Sequence, residues 1–280
     1  MKRVSKRGLR QLPIYLLLLL FSAVAILPFL YMLATAMTPH TYTMPYPPIL
    51  FPKSFYLKNF AEAWTSNSFN AYFLNSLFIS SVATVAIIGI SCMSAYGFAR
   101  MKFPGRNVIF YLLLFSMMVP TLTNLGPQFL LMKHLHLVDT YTGLILMYIG
   151  MGVAGNTFFL RNFFIGLPKE LEESVVIDGG NHWTIFAHII LPLSKPAIGT
   201  FTIMAFSNVW DEFLVALTMI KTPAKRTLPI ALKLFQGQHV NDWSLIFAAS
   251  LIAVVPILLV FIVLQKKLIR GGILEGTIKG

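Results

Sequence analysis

Two adjacent carboxylates interrupt an otherwise apolar stretch of the sequence. The step Trp210-Asp211-Glu212-Phe213 lies within the apolar segment from about 196 to 220. An ionised carboxylate at the centre of a membrane helix costs about 2.5–3.5 kcal/mol on insertion scales. We therefore expect Asp211 and Glu212 to face a water-filled path or a polar partner. Their oxygens can accept hydrogen bonds from a solute, couple to an ion, or hold two helices together.

A second polar feature is the charged segment from Pro168 to Pro192, which lies between two apolar spans. Five charged residues fall within ten of its positions, namely Lys169, Glu170, Glu172, Glu173 and Asp178. Charged side chains of this density are too costly to place in lipid. We therefore interpret the segment as the main soluble face of a membrane protein.

The same segment has the pattern of a helix, a turn and a second helix. Acidic residues near its start complement the helix dipole. Gly179 can adopt the left-handed conformation that ends a helix, and Asn181 can cap the next one. Pro192 marks the end of the second helix or a kink. One apolar face of that helix is predicted from residues at helical spacing, namely Trp183, Phe186, Ala187 and Ile190.

Motifs for metal, nucleotide and covalent chemistry are missing from the sequence. His134 and His136 are joined by no carboxylate or cysteine cluster, so we interpret them as solvated loop residues. The single cysteine, Cys92, excludes a disulfide framework. There is no Gly-x-x-x-x-Gly-Lys-Ser/Thr, no Gly-x-Ser-x-Gly and no His-Glu-x-x-His. We expect no cofactor bound by this chain and no enzymatic activity of its own.

Composition predicts an all-α integral membrane protein. Of the 280 residues, 56% are hydrophobic and 11% are charged, with a mean hydropathy of +0.73. Soluble domains carry about 25% charged residues. The net charge of +12 could suggest nucleic acid, but the basic residues flank apolar spans, as they do beside a membrane.

Six apolar segments are long enough to cross a bilayer as helices. They run from about 12 to 37, 74 to 98, 108 to 131, 140 to 160, 196 to 220 and 245 to 264. The predicted domains are a basic N-terminus (1–11), a first transmembrane helix (12–37), an external segment (38–70), a core with five transmembrane helices (71–268) and a tail (269–280). The charged loop within the core spans 166–192, and a polar loop is expected from 221 to 243.

The external segment is rich in proline and aromatic residues, with a short amphipathic helix near Leu57 to Trp64. Aromatic rings favour the headgroup level, so we expect this segment to lie along the membrane interface. With the N-terminus inside, the inner segments carry 15 of the 22 lysines and arginines. This bias predicts that both termini and the charged loop are cytoplasmic. The basic outer loop from 221 to 233 is a local exception.

The central loop resembles the cytoplasmic loop of binding-protein-dependent ABC importer permeases. The residues at the spacing of that motif are Glu173, Gly179, Ile189, Leu191 and Pro192. The flanking wording Leu167-Pro-Lys-Glu-Leu-Glu-Glu and Ile177-Asp-Gly is similar to the carbohydrate branch, the maltose-type subunits. The sequence departs from the motif where two alanines are replaced by Ser174 and Val175. The C-terminal stretch from Gln265 to Gly280 is also similar to the end of those subunits.

The resemblance implies a fold, a function and a set of partners. The fold is a MetI-like bundle of six transmembrane helices with a cytoplasmic coupling loop, in the plasma (inner) membrane of a prokaryote. The function is half of the translocation path of an ATP-driven importer for a sugar or oligosaccharide. The partners are a second homologous permease subunit, two copies of an ABC ATPase subunit that holds ATP and magnesium, an extracytoplasmic solute-binding protein, the sugar and the lipid bilayer, with no nucleic acid.

The resemblance also assigns residues to three roles. Those for coupling to the ATPase are Glu172, Glu173, Asp178, Gly179, Trp183, Phe186, Ile189, Leu191 and Pro192. Those for the substrate path are Asn208, Trp210, Asp211, Glu212 and Phe213, because carboxylates accept from sugar hydroxyls and a ring stacks on a pyranose. Those for tail contact with the ATPase are Gly276, Thr277, Lys279 and Gly280.

The alternative from the residues is a self-sufficient channel or an ion-coupled carrier. In that case Asp211 and Glu212 would form the coupling site. Such carriers usually show internal repeats and several intramembrane charges. This sequence has one charged step, and its prominent loop has no part in such a mechanism.

Overall fold

The computed structural model describes residues 6–42, 44, 46–48, 50–52, 54–238 and 242–278, with the side chains of 6–10, 12, 235, 238 and 266–278 left out. Most of the described residues are helical, and they contain no strand. The helices are α1 (Lys6–Ala36), α2 (Lys58–Thr65), α3 (Phe69–Arg100), α4 (Arg106–Met118), α5 (Thr121–His134), α6 (Tyr141–Ile165), α7 (Glu170–Ile177), α8 (His182–Ile185), α9 (Leu191–Leu193), α10 (Lys195–Trp210), α11 (Leu214–Met219), α12 (Leu228–Gln238) and α13 (Trp243–Ile278).

Four helical stretches in the described residues are long and apolar enough to cross a membrane. They are Pro13–Ala36, Lys58–Arg100, Tyr141–Ile165 and Trp243–Gln265. Two further helical pairs qualify only when each bent pair is counted as one span, namely Arg106–Met118 with Thr121–His134 and His182–Leu193 with Lys195–Trp210. The structure thus has four to six candidate spans where the sequence predicts six.

The chain forms two compact units, one from residues 1–70 and 232–254 and one from residues 71–231 and 255–280. In the first unit, α1 is exposed from Pro13 to Phe29, as suits a helix surrounded by lipid, and its last turn is buried. The predicted amphipathic helix is confirmed as α2. Its fully buried Asn59 donates to Ala36 O at 2.8 Å and Thr38 O at 2.6 Å. These bonds satisfy carbonyl groups that the end of α1 leaves without helical partners.

A histidine and two carboxylates connect the segment after α1 to the start of α13 within the first unit. His40 Nδ1 lies 2.6 Å from Asp242 Oδ2, and His40 Nε2 lies 3.8 Å from Glu62 Oε2. The rings of Tyr42 and Tyr56 lie beside the imidazole. The hydrogen bond with Asp242 raises the pKa of His40, desolvation opposes this rise, and the charges of Asp242 and Glu62 add to it.

The sequence predicts that the third span, 108–131, is interrupted by Pro120 and Pro127, and the structure breaks it at the first of these prolines. Its two halves, α4 and α5, meet at 108° across Val119 and Pro120. Proline disfavours the helical conformation of the residue before it. Val119 is accordingly extended, with ψ 122°. Pro127 lies inside α5 without ending it, so only the first of the two prolines breaks the span.

The predicted fifth span, 196–220, is also interrupted. α10 ends at Trp210 and α11 begins at Leu214, so the two carboxylates lie between helices rather than inside one. The prediction of an unbroken apolar helix through this step is therefore wrong. The interruption leaves backbone N–H groups at the start of α11 that need an acceptor.

Two further segments are more helical than the sequence suggests. The polar loop expected from 221 to 243 contains α12, whose first turn buries Leu228, Ile230 and Ala231. The backbone of α13 stays helical through Ile278, into the predicted tail. Of the residues predicted for tail contact, Gly276 and Thr277 lie on this helix without described side chains. Lys279 and Gly280 lie outside the described residues.

The core of the second unit forms around α6. This helix packs against α4, α10 and α11. Leu144, Leu160 and Phe164 of α6 are fully buried in this core. At Gly152 of α6, an added Cβ would lie 2.8 Å from Cδ1 of Ile87 on α3. The glycine thus permits the close approach of α3 and α6, and the charged segment follows the C-terminal end of α6.

Replacing His40 by Gln should remove a pH-dependent part of the stability. Because the folded-state pKa of His40 is raised, its stabilising contribution is present below about pH 6.5 and is lost as the pH rises through the folded value. From about pH 6 to about pH 9, the apparent melting temperature in detergent should fall by roughly 1–3 °C more in the parent than in His40→Gln. The exposed His134→Gln is the control and should keep the profile of the parent. Identical profiles in parent and His40→Gln would contradict the assignment.

Candidate functional site

The charged segment folds as a helical hairpin with a glycine turn. Gly179 has φ +81°, the left-handed conformation expected from the sequence. The amide of Gly180 donates to Val175 O at 2.8 Å, and that of Gly179 donates to Val176 O at 3.0 Å. This pair of bonds ends α7 as a Schellman motif. The prediction of helix, turn and helix is therefore confirmed.

The second arm of the hairpin begins with the predicted cap. Asn181 Oδ1 accepts from Thr184 N at 2.9 Å. Helical structure then continues to Leu193, with a π-helical turn at Phe186–Ile190. Such turns are uncommon and frequently occur at functional sites. The bend of 76° into α10 falls at Ser194, two residues after the predicted Pro192.

The first arm, α7, has two unlike faces. Its inner face carries Val175, which packs against the core, and Glu172, which is shielded from solvent. Its outer face carries Glu173, which is exposed, together with Val176 and Ile177, whose exposed fractions are 59% and 85%. Large apolar side chains left this exposed on a polar segment indicate a contact surface.

Glu172 forms an ion pair with the end of α3 and does not face outwards as Glu173 does. Its Oε1 lies 2.5 Å from Nε of Arg100. The Arg100 guanidinium also donates to Leu167 O through Nη2 at 2.8 Å. In this chain, Glu172 is therefore bound to Arg100, while the neighbouring Glu173 is exposed.

The second arm presents a mixed surface. Phe186 and Ile190 are buried as predicted, and Ala187 is half-buried. Trp183 differs from the prediction, because it is 65% exposed, and its ring lies tilted against that of Phe186, with centroids 5.5 Å apart. The position it was assigned in the core is taken by Ile185. The π turn at Phe186–Ile190 adds one residue to a helical turn, so that the buried face of this arm contains Ile185, Phe186 and Ile190.

The remaining predicted coupling residues lie at the turn and at the end of the second arm. Asp178, Gly179 and Pro192 are exposed, while Ile189 and Leu191 are half-buried. The exposed set that flanks the turn thus combines carboxylates with large apolar side chains. We name it the hairpin surface, formed by Glu173, Val176, Ile177, Asp178 and Trp183.

The second predicted site, at the break between α10 and α11, contains a buried tryptophan. Trp210 is 2% exposed and lies against the rings of Phe73 and Phe206, with centroids 5.6 and 5.7 Å away. A ring in this position cannot stack on a solute. The expectation that Trp210 lines a substrate path is therefore not supported by its surroundings, and its role in this structure is core packing.

Glu212 joins two helices at the break. Its Oε1 accepts from Val215 N at 2.7 Å, and its Oε2 accepts from Ala216 N at 3.0 Å. Oε2 also accepts from the hydroxyl of Tyr148 on α6 at 2.9 Å. The carboxylate satisfies the first amides of α11 and connects them to α6. This is the helix-locking role considered for the carboxylates.

Asp211 and Asn208 have a different environment from Glu212. Both are exposed, three positions apart, and Met204 one turn earlier is also exposed. Phe213 is half-buried on the core side. The five residues predicted for one path are thus divided. Asn208 and Asp211 share an open face, whereas Trp210, Glu212 and Phe213 belong to the packing of the bundle.

Sequence reasoning missed Asp139, which binds the basic loop. Its Oδ1 accepts from the amides of Lys221 and Thr222, each at 3.0 Å, and its Oδ2 accepts from Thr222 Oγ1 at 2.5 Å. Lys225 Nζ lies 3.6 Å from Oδ2. The bonds from Thr222 are the main cause that lowers the pKa of Asp139 to about 2. In the sequence, Asp139 is recognisable only as a carboxylate in a short turn. Nothing near it in the sequence indicates that it binds the loop at Lys221 and Thr222.

Comparison with known proteins identifies the kind of chain that carries these sites. Residues 87–271 match the family described as binding-protein-dependent transport system inner membrane component. The chain belongs to this family. The permease is 32% identical over 265 residues to the diacetylchitobiose uptake system permease protein of Streptomyces coelicolor, across 94% of this chain and 87% of the relative. It is 36% identical over 230 residues to the arabinooligosaccharides transport system permease protein of Bacillus subtilis, across 82% and 81%.

A solved structure supports the fold of the permease. It is a chain of a bacterial ABC transporter involved in the import of the acidic polysaccharide alginate. The TM-score is 0.76 over 95% of this chain and 98% of that chain, at 22% identity. The fold is thus that of a MetI-like ABC permease, and the protein is a multi-pass protein of the inner membrane.

Glu212→Gln should destabilise the permease, whereas Asp211→Asn should not. The glutamine replaces one accepting oxygen by an NH2 group that faces other donors, and a hydrogen bond to a charged group contributes about 1.5–3 kcal/mol. We expect the apparent melting temperature of Glu212→Gln in detergent to fall by roughly 3–8 °C. Tyr148→Phe removes one of the three donors and should cause a smaller fall. Equal melting temperatures for Glu212→Gln and Asp211→Asn would contradict the locking role.

Proposed function

We propose that this chain is the permease subunit of an ATP-driven importer for a sugar or oligosaccharide, and that the hairpin surface is where the ATPase binds. Family membership supports the transport role. The substrate class is supported by the relatives named for diacetylchitobiose and arabinooligosaccharides uptake. The observation that carries the coupling role is the exposed set of carboxylates and large apolar side chains around the Gly179 turn.

The hairpin surface has the chemistry of a protein contact. Val176, Ile177 and Trp183 offer apolar area that docking would remove from water, and Glu173 offers a carboxylate to a basic or amide group. Its turn keeps the two arms in a fixed relation, because Gly180 has no room for a side chain. An added Cβ there would lie 2.4 Å from Val175 Cγ1. ATP and magnesium would be held on the partner, and closure of that partner would move the hairpin.

The orientation and partners form part of the same proposal. The bias of basic residues supports cytoplasmic termini and a cytoplasmic hairpin. One chain of four to six spans provides half of a path, so a second homologous permease and two ATPase copies complete the importer. An extracytoplasmic solute-binding protein delivers the sugar; a similar chain occurs in a solved alginate ABC transporter in complex with a periplasmic protein. We retain the proposed domains 1–11, 12–37, 38–70, 71–268 and 269–280, with the tail directed to the ATPase.

For the substrate path we propose the open face of α10, with Asn208 and Asp211 as its polar groups. An amide and a carboxylate can exchange hydrogen bonds with sugar hydroxyls. The alternative of a self-sufficient ion-coupled carrier is less well supported. It needs both carboxylates of the step to be free for an ion, and Glu212 is already bound by three donors.

Glu173→Lys should reduce the binding of the ATPase without affecting membrane insertion. The residue is exposed on α7, so reversing its charge leaves the bundle intact but opposes a basic or amide partner. The amount of ATPase that co-purifies with the complex should fall about fivefold to tenfold, the effect of about 1–1.4 kcal/mol at a contact.

Lys169→Glu is a matched control, with the opposite charge reversal just before α7 and outside the hairpin surface. It should retain the ATPase better than Glu173→Lys. If Glu173→Lys assembles with the ATPase as the parent does, the hairpin surface is not the docking site.

Asp211→Asn should lower uptake while leaving the assembled complex stable. The substitution removes a charge from an exposed face and keeps the size of the side chain. Uptake of a panel of labelled oligosaccharides into proteoliposomes should fall at least about threefold for the transported sugar, the loss expected when one hydrogen bond of about 0.7 kcal/mol or more is removed. Unchanged uptake would exclude Asp211 from the path.

A further inference from the structure

We infer that Arg100 is a positioning residue that connects the hairpin to α3, and that α3 transmits hairpin movement to the loop Thr222–Leu228 at its other end. The inference rests on the proposed function and adds the route within this chain. It assigns Glu172 to an internal link rather than to the ATPase contact. The link and the loop lie in the same compact unit.

The contact between Arg100 and the hairpin is shielded and has two components. The side chains of Arg100 and Glu172 are only 5% and 15% exposed, with Nε and Oε1 2.5 Å apart. Nη2 of the same guanidinium donates to Leu167 O, in the linker between α6 and α7. A planar guanidinium can direct donors to two acceptors at fixed angles, which a lysine cannot do. Arg100 therefore fixes α7 relative to the end of α3.

A second residue of α3 contacts the other arm of the hairpin. Tyr96 lies one helical turn before Arg100. Its ring centroid is 5.2 Å from that of Phe186, and its hydroxyl lies 3.4 Å from Nδ1 of His182. Tyr96 is 6% exposed. The last turns of α3 thus hold both arms, one through an ion pair and one through aromatic packing, and the glycine turn lies between them.

The opposite end of α3 binds a loop on the far side of the bundle. Asn75 Nδ2 donates to Ala224 O at 2.8 Å and to Arg226 O at 3.0 Å. Ser76 Oγ accepts from Leu228 N at 2.7 Å. The helix between Asn75 and Arg100 is continuous, and at 1.5 Å per residue it spans roughly 37 Å, about the thickness of a bilayer.

This arrangement is a chain of direct contacts from one face of the membrane to the other. The hairpin surface faces outwards, and the inner faces of the hairpin are held by α3. A continuous helix transmits displacement with little internal loss compared with a broken one, and α4–α5 and α10–α11 are both broken. Among these elements, α3 is the rigid connection between the hairpin and the loop Thr222–Leu228. Proof of such a route requires coupling between its ends.

The test measures whether nucleotide binding at the hairpin changes the far loop. The complete importer is reconstituted in proteoliposomes with its ATPase, in a Cys92→Ser background, and Ala224→Cys is labelled with a maleimide dye. The parent should show different labelling rates without nucleotide and with ATP and vanadate. In Arg100→Gln and Glu172→Gln, the difference should shrink about fivefold or more, while ATPase retention stays at the parental level. The double variant should be no worse than either single one, because both break one link.

Glu173→Gln is the matched control, one position from Glu172 on the same helix but exposed. It should reduce ATPase retention. In the complexes that still form, the effect of nucleotide on labelling at Ala224→Cys should be the same as in the parent. If Arg100→Gln and Glu172→Gln respond to nucleotide as the parent does, the inference is overturned. It is also overturned if Glu172→Gln loses the ATPase while Arg100→Gln retains it. Failure of the parent to retain an ATPase would instead overturn the proposed function, and the route with it. A parent that retains the ATPase but gives no response at Ala224→Cys overturns the route only.

A covalent replacement covers the case in which the neutral variants do not fold. Arg100→Cys and Glu172→Cys are combined and joined by a bifunctional thiol reagent, with the same double variant left unlinked for comparison. The linked protein should regain the nucleotide response at the far loop, read from a fluorophore installed at residue 224 by an unnatural amino acid. Arg100→Lys keeps the charge but loses the second bond to Leu167 O and should give an intermediate response. A linked protein that responds no better than the unlinked one would overturn the inference.

Discussion

Polar groups inside a bilayer must find partners within the protein, because no water is available to them there. This constraint decides where the helices of the permease can stop. Where α10 ends early, Glu212 accepts from the first amides of α11 and from Tyr148. Burial in the protein has the same effect outside the bilayer: where α1 ends, the buried Asn59 donates to two carbonyl groups. These two helix ends thus each use one polar side chain, and Glu212, bound in this way, is no longer free for a solute.

The same reasoning separates the neighbours Glu172 and Glu173. Charge density alone makes both suitable for a contact with another protein. However, α7 must also be held to the bundle, and Arg100 at the end of α3 needs a counter-charge because it is only 5% exposed. Glu172 provides that charge from the inner face of α7. In this acidic segment, one carboxylate binds the segment to the bundle and its neighbour is exposed for contact with another protein. The position of each residue around the helix decides which of the two roles it has.

Local chemistry could be predicted from the sequence, and long-range packing could not. The Gly179 turn, the Asn181 cap and the amphipathic α2 follow from residue types a few positions apart, and all three are confirmed. Burial of Trp210 depends on Phe73, which is distant in the chain. The angle at Pro120 depends on how α4 and α5 pack, since Pro127 in the same segment leaves its helix intact. The class of helical membrane bundle could thus be predicted from hydropathy. Which of the predicted site residues are exposed and which pack in the bundle depends on contacts between distant residues, and these could not be predicted.

The basic loop after α11 shows how a local bond can account for a departure from a global pattern. The bias of lysines and arginines across a membrane concerns charges that are free to interact with the lipid surface. In this loop Lys225 is held by Asp139, and the amides of Lys221 and Thr222 are bound to the same carboxylate. The loop also connects to α3 through Asn75. The side chain of Lys225 and the backbone of Lys221 and Arg226 therefore belong to a fixed connection between α3, α11 and the turn before α6. A loop fixed at both ends in this way provides a firm surface at the far end of the helix that holds the hairpin, which is the property that transmission across the membrane needs.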